Sequence, residues 1–153
     1  MTNQLKVASD NVEQTIDIAK RIGARLKGGE VVEIISDLGG GKTTFTKGLS
    51  AGAGSVDKVR SPSFTIENVY VAKTLTIYHL DFYRLNDSGI MANELTEKLS
   101  DKSAVVVIEW ADLIENILPK NRLVIKIKVK GDQSRQFEIS YPDKLSYLLK
   151  GLD

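Results

Sequence analysis

Eight consecutive residues, Ser36-Asp37-Leu38-Gly39-Gly40-Gly41-Lys42-Thr43, nearly complete the pattern G-x-x-x-x-G-K-[ST], with Ser in the first position instead of Gly. Glycines in such a run let the backbone approach an anion and aim several N–H groups at it. The positive end of a helix beginning at Lys42 adds to that field. Lys42 is placed to reach the β- and γ-phosphates of a nucleoside triphosphate, and the Thr43 hydroxyl can bind Mg²⁺. Leu38, Gly39, Gly40, Gly41 and Thr44 complete the expected phosphate cradle. The plain alternative is a Gly-rich turn with an accidental Lys-Thr. A β-branched run before the turn and a helical stretch after it argue against that.

A P-loop metal usually draws a carboxylate from a neighbouring strand. The run Val105-Val106-Val107-Ile108-Glu109 has that form, with apolar residues leading to an acid, so Glu109 is the candidate acid for Mg²⁺, acting directly or through water. Asp112 competes but falls in the following turn. Asp81, in His79-Leu80-Asp81-Phe82-Tyr83-Arg84, follows a strand and could orient a water or a ligand; a salt bridge to Arg84 or a turn cap is the bland reading. His79 is the sole histidine, so no His-based metal cluster exists, and a half-buried strand position is its expected role. Trp110 either packs in the core or faces the nucleotide. Arg135 either reaches a phosphate or base, or is solvated on a strand face.

The elements that must position these residues follow from periodicity. Leu5–Ala8 reads as an opening strand, and Asp10 with Glu13 has capping-box spacing. Val12, Ile16, Ala19, Ile22 and Leu26 share a helical face, which Gly28-Gly29 should end. The near-continuous apolar run 31–35 suits a buried parallel strand, and a helix is expected over 42–51. Residues 64–71 and 74–82 form a hairpin around Ala72-Lys73, 86–89 a turn, 92–99 a helix and 104–108 a second buried strand. A helical turn follows at 113–118. A second antiparallel pair, 122–129 and 135–141, turns at Gly131-Asp132, and Asp143 should cap a last helix carrying Leu145, Leu148 and Leu149. The fold expected is α/β: a P-loop NTPase-like three-layer domain spanning 1–153, its parallel central strands extended by antiparallel ones.

The chain of 153 residues is 42% hydrophobic and 27% charged, the balance of an ordinary globular protein. Its formal charge of +1 lacks the basic excess of a tight nucleic-acid binder, and the lysines of 126–130 alternate like the wet face of a strand. The absence of cysteine excludes disulfides and thiolate chemistry. No run approaches the ~18 apolar residues of a membrane span, and the first residues lack the apolar stretch of a secretory signal. A cytoplasmic location, with no membrane partner, is the expectation.

Taken together, the P-loop over 36–44, Arg60-Ser61-Pro62-Ser63-Phe64-Thr65, His79-Leu80-Asp81-Phe82-Tyr83-Arg84-Leu85 and Ile108-Glu109-Trp110 resemble the TsaE (YjeE) family in order and spacing, over nearly the whole chain. The resemblance implies an ATPase supporting threonylcarbamoylation of adenosine 37 in tRNA, beside TsaD- and TsaB-like proteins, with tRNA contacted indirectly through the complex. It implies that Lys42 and Thr43 bind phosphate and Mg²⁺, that Glu109 is the metal-linked acid and Asp81 a catalytic or switch-like acid, and that 61–65 is a switch loop near the γ-phosphate. Thr15 and Arg135 lie where the family contacts nucleotide. Three departures stand out. Ser36 replaces the family's Gly, Gly40 replaces its Ala, with a looser loop expected, and 88–99 lacks its Glu-rich, Gly-containing pattern. The rival readings are a small nucleoside or nucleotide kinase, for which no lid insertion is evident, and a GTPase switch, for which the Asn-Lys-x-Asp base-reading motif is missing.

Overall fold

A computed structural model describes residues 2–37, 39–62, 67–82 and 89–152, with the backbone alone for 89–91 and 113. Seven strands form a single sheet in the order β1-β7-β6-β2-β5-β4-β3, where β1 is Thr2–Ser9, β2 Val31–Ile35, β3 Glu67–Val71, β4 Thr76–Asp81, β5 Ala104–Glu109, β6 Leu123–Val129 and β7 Arg135–Pro142. Strands β6, β2, β5 and β4 run parallel to one another, while the β1/β7, β6/β7 and β3/β4 pairs are antiparallel. This is an α/β P-loop-like fold with a parallel centre and antiparallel flanks. The hairpin link between β3 and β4 takes four residues, 72–75, closed by Ala72 N–H on the Leu75 carbonyl at 3.0 Å. Of the turn expected at 86–89, residues 86–88 lie outside the described residues and Gly89 already begins a helix.

Period-two alternation sends side chains of each central strand to two cores. Val105 and Val107 of β5 join Val32 and Ile34 of β2 on the face covered by helices α1 (Val12–Gly23) and α2 (Lys42–Gly52). Val106 and Ile108 face the other way, against Leu95 of helix α3 (Gly89–Ser100) and Ala111 and Ile114 of a short 3₁₀ helix, Ala111–Ile114. The single acid inside β2, Glu33, is buried and paired with Arg122 Nε at 2.9 Å. Arg122 also holds Glu115 at 2.9 Å. A charge in an otherwise apolar strand is tolerated because its partner is fixed beside it.

Helix α1 departs from its sequence pattern in three respects. Its cap is Asn11, whose Oδ1 accepts the Gln14 N–H at 2.9 Å while Gln14 Oε1 accepts the Asp10 N–H at 2.7 Å, so the box sits one residue beyond Asp10 and Glu13. Its buried face is Thr15, Ile18, Ala19, Ile22 and Gly23, leaving Val12 exposed. The cause is α2: a Cβ on Gly48 would overlap Ala19 Cβ and the Ile16 carbonyl, and one on Gly52 the Lys20 carbonyl. The helices cross so closely that small residues, not the largest apolar ones, define the contact. The helix also ends at Gly23, short of Gly28-Gly29, with Leu26 buried just beyond it. At the far end, Asp143–Leu149 is a 3₁₀ helix that buries Leu145, Leu148 and Leu149 as expected. Pro142, not Asp143, occupies its cap position, and Asp143 instead accepts Asn3 Nδ2 at 2.7 Å.

Candidate functional site

The glycine run leaves β2 and turns into α2. Gly40 N–H bonds the Asp37 carbonyl at 3.0 Å to close the turn. Gly39 (φ 76°) and Gly41 (φ 111°) take the left-handed backbone that other residues adopt only at a cost. Gly41 is the N-cap of α2. It offers no side chain to the first-turn N–H groups, and that turn carries no acid, which is the arrangement an anion requires. Ser36 does more than fill the place of a glycine. Its Oγ donates to the Asp37 carbonyl at 2.9 Å and occupies the space a Cβ on Gly40 would need. The two departures from the family pattern are therefore one exchange of volume, and the expected looseness of the loop is offset by this hydrogen bond. Leu38 lies outside the described residues.

Arg135 is not a solvated strand-face arginine. Its Nε donates to the Gly40 carbonyl at 3.0 Å, and one terminal nitrogen donates to the carbonyls of Gly131, Asp132 and Ser134 at 3.0, 3.3 and 2.9 Å. The guanidinium ties the β6–β7 turn to the glycine loop. Thr15 sits inside α1, buried, its hydroxyl 2.7 Å from Ser9 Oγ, and does not reach the loop's cavity. Near it, Asn11, Val12, Glu13 and Gln133 line an open groove of about 440 Å³.

A cavity of about 250 Å³ lies over the loop, lined by Gly39, Gly41, Lys42, Thr43 and Thr44 and, from across it, by Ser61, Glu109 and Trp110. Lys42 is 8% exposed; its Nζ donates to the Ser36 carbonyl at 3.4 Å and lies 4.8 Å from the Trp110 ring centre. Trp110 itself holds a left-handed backbone (φ 56°, ψ 59°), uncommon for a bulky residue. Such strain gathers at functional sites, and here it sets the indole at the cavity wall instead of in the core. Asp112, the competing acid, is exposed on the 3₁₀ helix and borders only a smaller adjoining space of about 100 Å³.

Register explains how the acids meet the loop. Glu109 ends β5 opposite Ile34 of β2 on one side and Asp81 of β4 on the other. By alternation, Glu109, Asp81 and His79 share the α2 face with Val107 and Ile77. Glu109 and Asp81 are 2% and 3% exposed. His79, expected half-buried, is fully buried: its Nε2 is 2.5 Å from Glu109 Oε2 and its Nδ1 is 3.0 Å from the Tyr70 hydroxyl. That hydroxyl also lies 3.1 Å from the Arg60 carbonyl, which Asn68 Nδ2 bonds at 3.0 Å. Burial pushes the Tyr70 phenol above its ordinary pKa, so it stays a proton donor. Sequence reasoning missed this chain. The available signal was that His79 and Asp81, two apart on a strand, must share a face. Residues 63–65 of the expected switch loop, and Tyr83, Arg84 and Leu85 of the Asp81 motif, lie outside the described residues.

Among the described residues no three His, Asp or Glu side chains converge as a metal cage. The donor set instead suits a hard cation that takes one or two carboxylates, a hydroxyl and phosphate oxygens, which is the habit of Mg²⁺. Thr43 and Glu109 both line this cavity and are the residues that could hold such a cation.

Comparison with known proteins places these features in context. The profile of the family described as "Threonylcarbamoyl adenosine biosynthesis protein TsaE" matches residues 9–137. A Bacillus subtilis protein named tRNA threonylcarbamoyladenosine biosynthesis protein TsaE is 43% identical over 133 residues, covering 87% of this chain and 83% of its own length. A Treponema pallidum protein of the same name is 31% identical over 136 residues, covering 89% of this chain and all of its own. The crystal structure of Bacillus subtilis YdiB superposes with a TM-score of 0.80 at 37% identity, covering 99% of this chain and 95% of that one.

Proposed function

The chain belongs to the TsaE family, and from that premise we propose that it is a Mg-ATP-binding P-loop ATPase serving threonylcarbamoylation of adenosine 37 in tRNA, in a complex with TsaD- and TsaB-like proteins. Membership carries a role in tRNA threonylcarbamoyladenosine biosynthesis. The observation that supports the finer reading is the single cavity shared by Gly39, Gly41, Lys42, Thr43 and Glu109. Backbone N–H groups of the loop and the start of α2 would hold the phosphates, and Lys42 would move from the Ser36 carbonyl onto the β/γ oxygens. Thr43 and Glu109 would hold Mg²⁺. The metal, when bound, neutralises charge on the phosphate oxygens. Asp81, beside Glu109 on the next strand, adds a second carboxylate whose repulsion with the first a divalent cation would offset. It would orient groups around the reacting phosphate. Arg135 would keep the loop in its receiving shape.

Beyond the cradle and the acids, the described residues place no arginine in the lining of the phosphate cavity; Arg135 has its Nε and one terminal nitrogen bound to backbone carbonyls. A group of that kind contributes roughly 10³–10⁵ in rate where it is present. Hydrolysis by the isolated chain is therefore slow in this reading and rises when the TsaD–TsaB-like pair is added. The deciding experiment measures ATP affinity and phosphate release for wild type and Lys42→Ala, each with and without the pair. Lys42→Ala should fold normally, lose nucleotide affinity and lose release. A folded Lys42→Ala with unchanged affinity and release removes the phosphate-loop assignment. Turnover that ignores the pair removes the complex, and phosphate appearing on a nucleoside would make the chain a kinase.

A further inference from the structure

We propose that His79 is a positioning residue which holds Glu109 toward the phosphate cavity and, through Tyr70, ties that acid to the backbone at Arg60–Ser61 on the cavity's rim. The inference rests on the Mg-ATP reading above and concerns what sets the acid in place. Four groups from β5, β4, β3 and the segment before β3 make one continuous chain: Glu109 Oε2, His79 at 2.5 Å, the Tyr70 hydroxyl at 3.0 Å and the Arg60 carbonyl at 3.1 Å. Every member is buried or nearly so up to the carbonyl, where the next residue, Ser61, lines the cavity with Glu109.

The chemistry of the chain follows from counting donors. The Tyr70 hydroxyl carries one proton; the Asn68 side chain also bonds it, and the two acceptors open to that proton are Nδ1 of His79 and the Arg60 carbonyl. When it donates to Nδ1, His79 has its hydrogen on Nε2 and donates to the Glu109 carboxylate. One carboxylate oxygen is then occupied, and the carboxylate is oriented with its other oxygen available to the cavity. When Tyr70 instead donates to the Arg60 carbonyl, it ties down the segment leading to Ser61. The two demands compete for a single proton, so the setting of Glu109 and the tethering of residues 60–61 are linked.

The test uses the full chain and its sole tryptophan, Trp110, which lines the same cavity. Trp110 fluorescence is followed as Mg²⁺ is titrated in the presence of adenylyl imidodiphosphate, and amide exchange is read at residues 60–61. His79→Leu should raise the Mg²⁺ midpoint by about tenfold or more, the usual cost of losing a group that orients a ligand. Nucleotide affinity without metal should stay unchanged. His79→Gln, whose carboxamide can still donate to Glu109, should recover most of the loss. Tyr70→Phe should leave the midpoint near wild type and speed exchange at 60–61. A folded His79→Leu with the wild-type midpoint, or a Tyr70→Phe with unchanged exchange, overturns the proposal. If His79→Leu fails to fold, His79→Asn, whose shorter carboxamide cannot span to Glu109, takes its place: a raised midpoint supports the proposal and the wild-type midpoint overturns it. If wild type shows no Mg²⁺ response, the magnesium reading itself fails. Exchange at 60–61 in His79→Leu then decides the linkage: slower exchange, from a Tyr70 proton given wholly to the Arg60 carbonyl, supports it, and unchanged or faster exchange ends it.

Discussion

Substituting Ala at Gly40 tests whether the phosphate loop is packed as one unit with Ser36. Gly40 does not have a positive φ, so its backbone accepts Ala and any cost is steric. The new Cβ would fall within the volume of Ser36 Oγ, 3.0 Å from the Asp37 carbonyl oxygen and 3.1 Å from Ser36 Cβ. Ser36 Oγ could swing aside, giving up its bond to the Asp37 carbonyl, which costs about 0.5–1.5 kcal/mol. The backbone oxygen and Ser36 Cβ cannot yield so easily, and crowding of this kind adds roughly 1–3 kcal/mol. Gly40→Ala alone should therefore weaken ATP binding by about 10-fold or more, at roughly 1.4 kcal/mol per decade. Ser36→Gly alone should have a small effect, through the lost hydrogen bond and a freer backbone. The double variant removes Cβ and Oγ at 36 just where Cβ arrives at 40, and it should bind ATP about 5- to 30-fold more tightly than the sum of the single effects predicts. Calorimetric affinities for the four proteins, each checked by thermal melting, give the coupling. If the single effects add, with no recovery in the double variant, the volume exchange between 36 and 40 is wrong.

Further expectations concern the metal acid, the clamp and the helix crossing. Glu109→Gln should spare ATP binding more than hydrolysis and move the Mg²⁺ half-saturation of phosphate release by about tenfold or more; identical Mg²⁺ profiles for both forms would reduce Glu109 to a structural acid. Arg135→Ala removes the donor to the Gly40 carbonyl, a charge-assisted bond worth about 1.5–3 kcal/mol, and should lower ATP affinity about tenfold with little change in melting temperature; unchanged affinity would leave the clamp without consequence for the nucleotide. Gly48→Ala should destabilise by about 1–3 kcal/mol in urea unfolding, because overlap with Ala19 and the Ile16 carbonyl outweighs the roughly 1 kcal/mol that Ala gains over Gly in a helix. A more stable Gly48→Ala would mean that α1 and α2 can separate at no cost.

What the amino-acid sequence determined by itself is whatever depends on neighbours in the chain. The proposed phosphate cradle could be read from the glycine run, Lys42 and Thr43, because contiguous backbone geometry suffices for it. The strand over Val31–Ile35 matched its apolar run residue for residue, and β5 ended at Glu109 as its pattern implied. Both are central parallel strands whose burial on two faces is written as near-continuous apolarity, interrupted in β2 only by Glu33. What only the tertiary structure decided depends on register and close approach. The sequence pattern of α1 placed Ala19 and Ile22 correctly but also put the exposed Val12 on the buried face and missed Thr15 and Ile18, since its contact with α2 is set by Gly48 and Gly52, far along the chain, which no local periodicity records. His79 read as an ordinary strand residue, since its partners come from Tyr70 on one strand and Glu109 on another and pairing alone brings them together. Arg135 could have been a solvated side chain until the β6–β7 turn brought it to the Gly40 carbonyl, 95 positions away in sequence. Ser36 and Gly40 each looked like a small local departure from a pattern. The turn between them folds one onto the other, so their side-chain volumes compete for a single space.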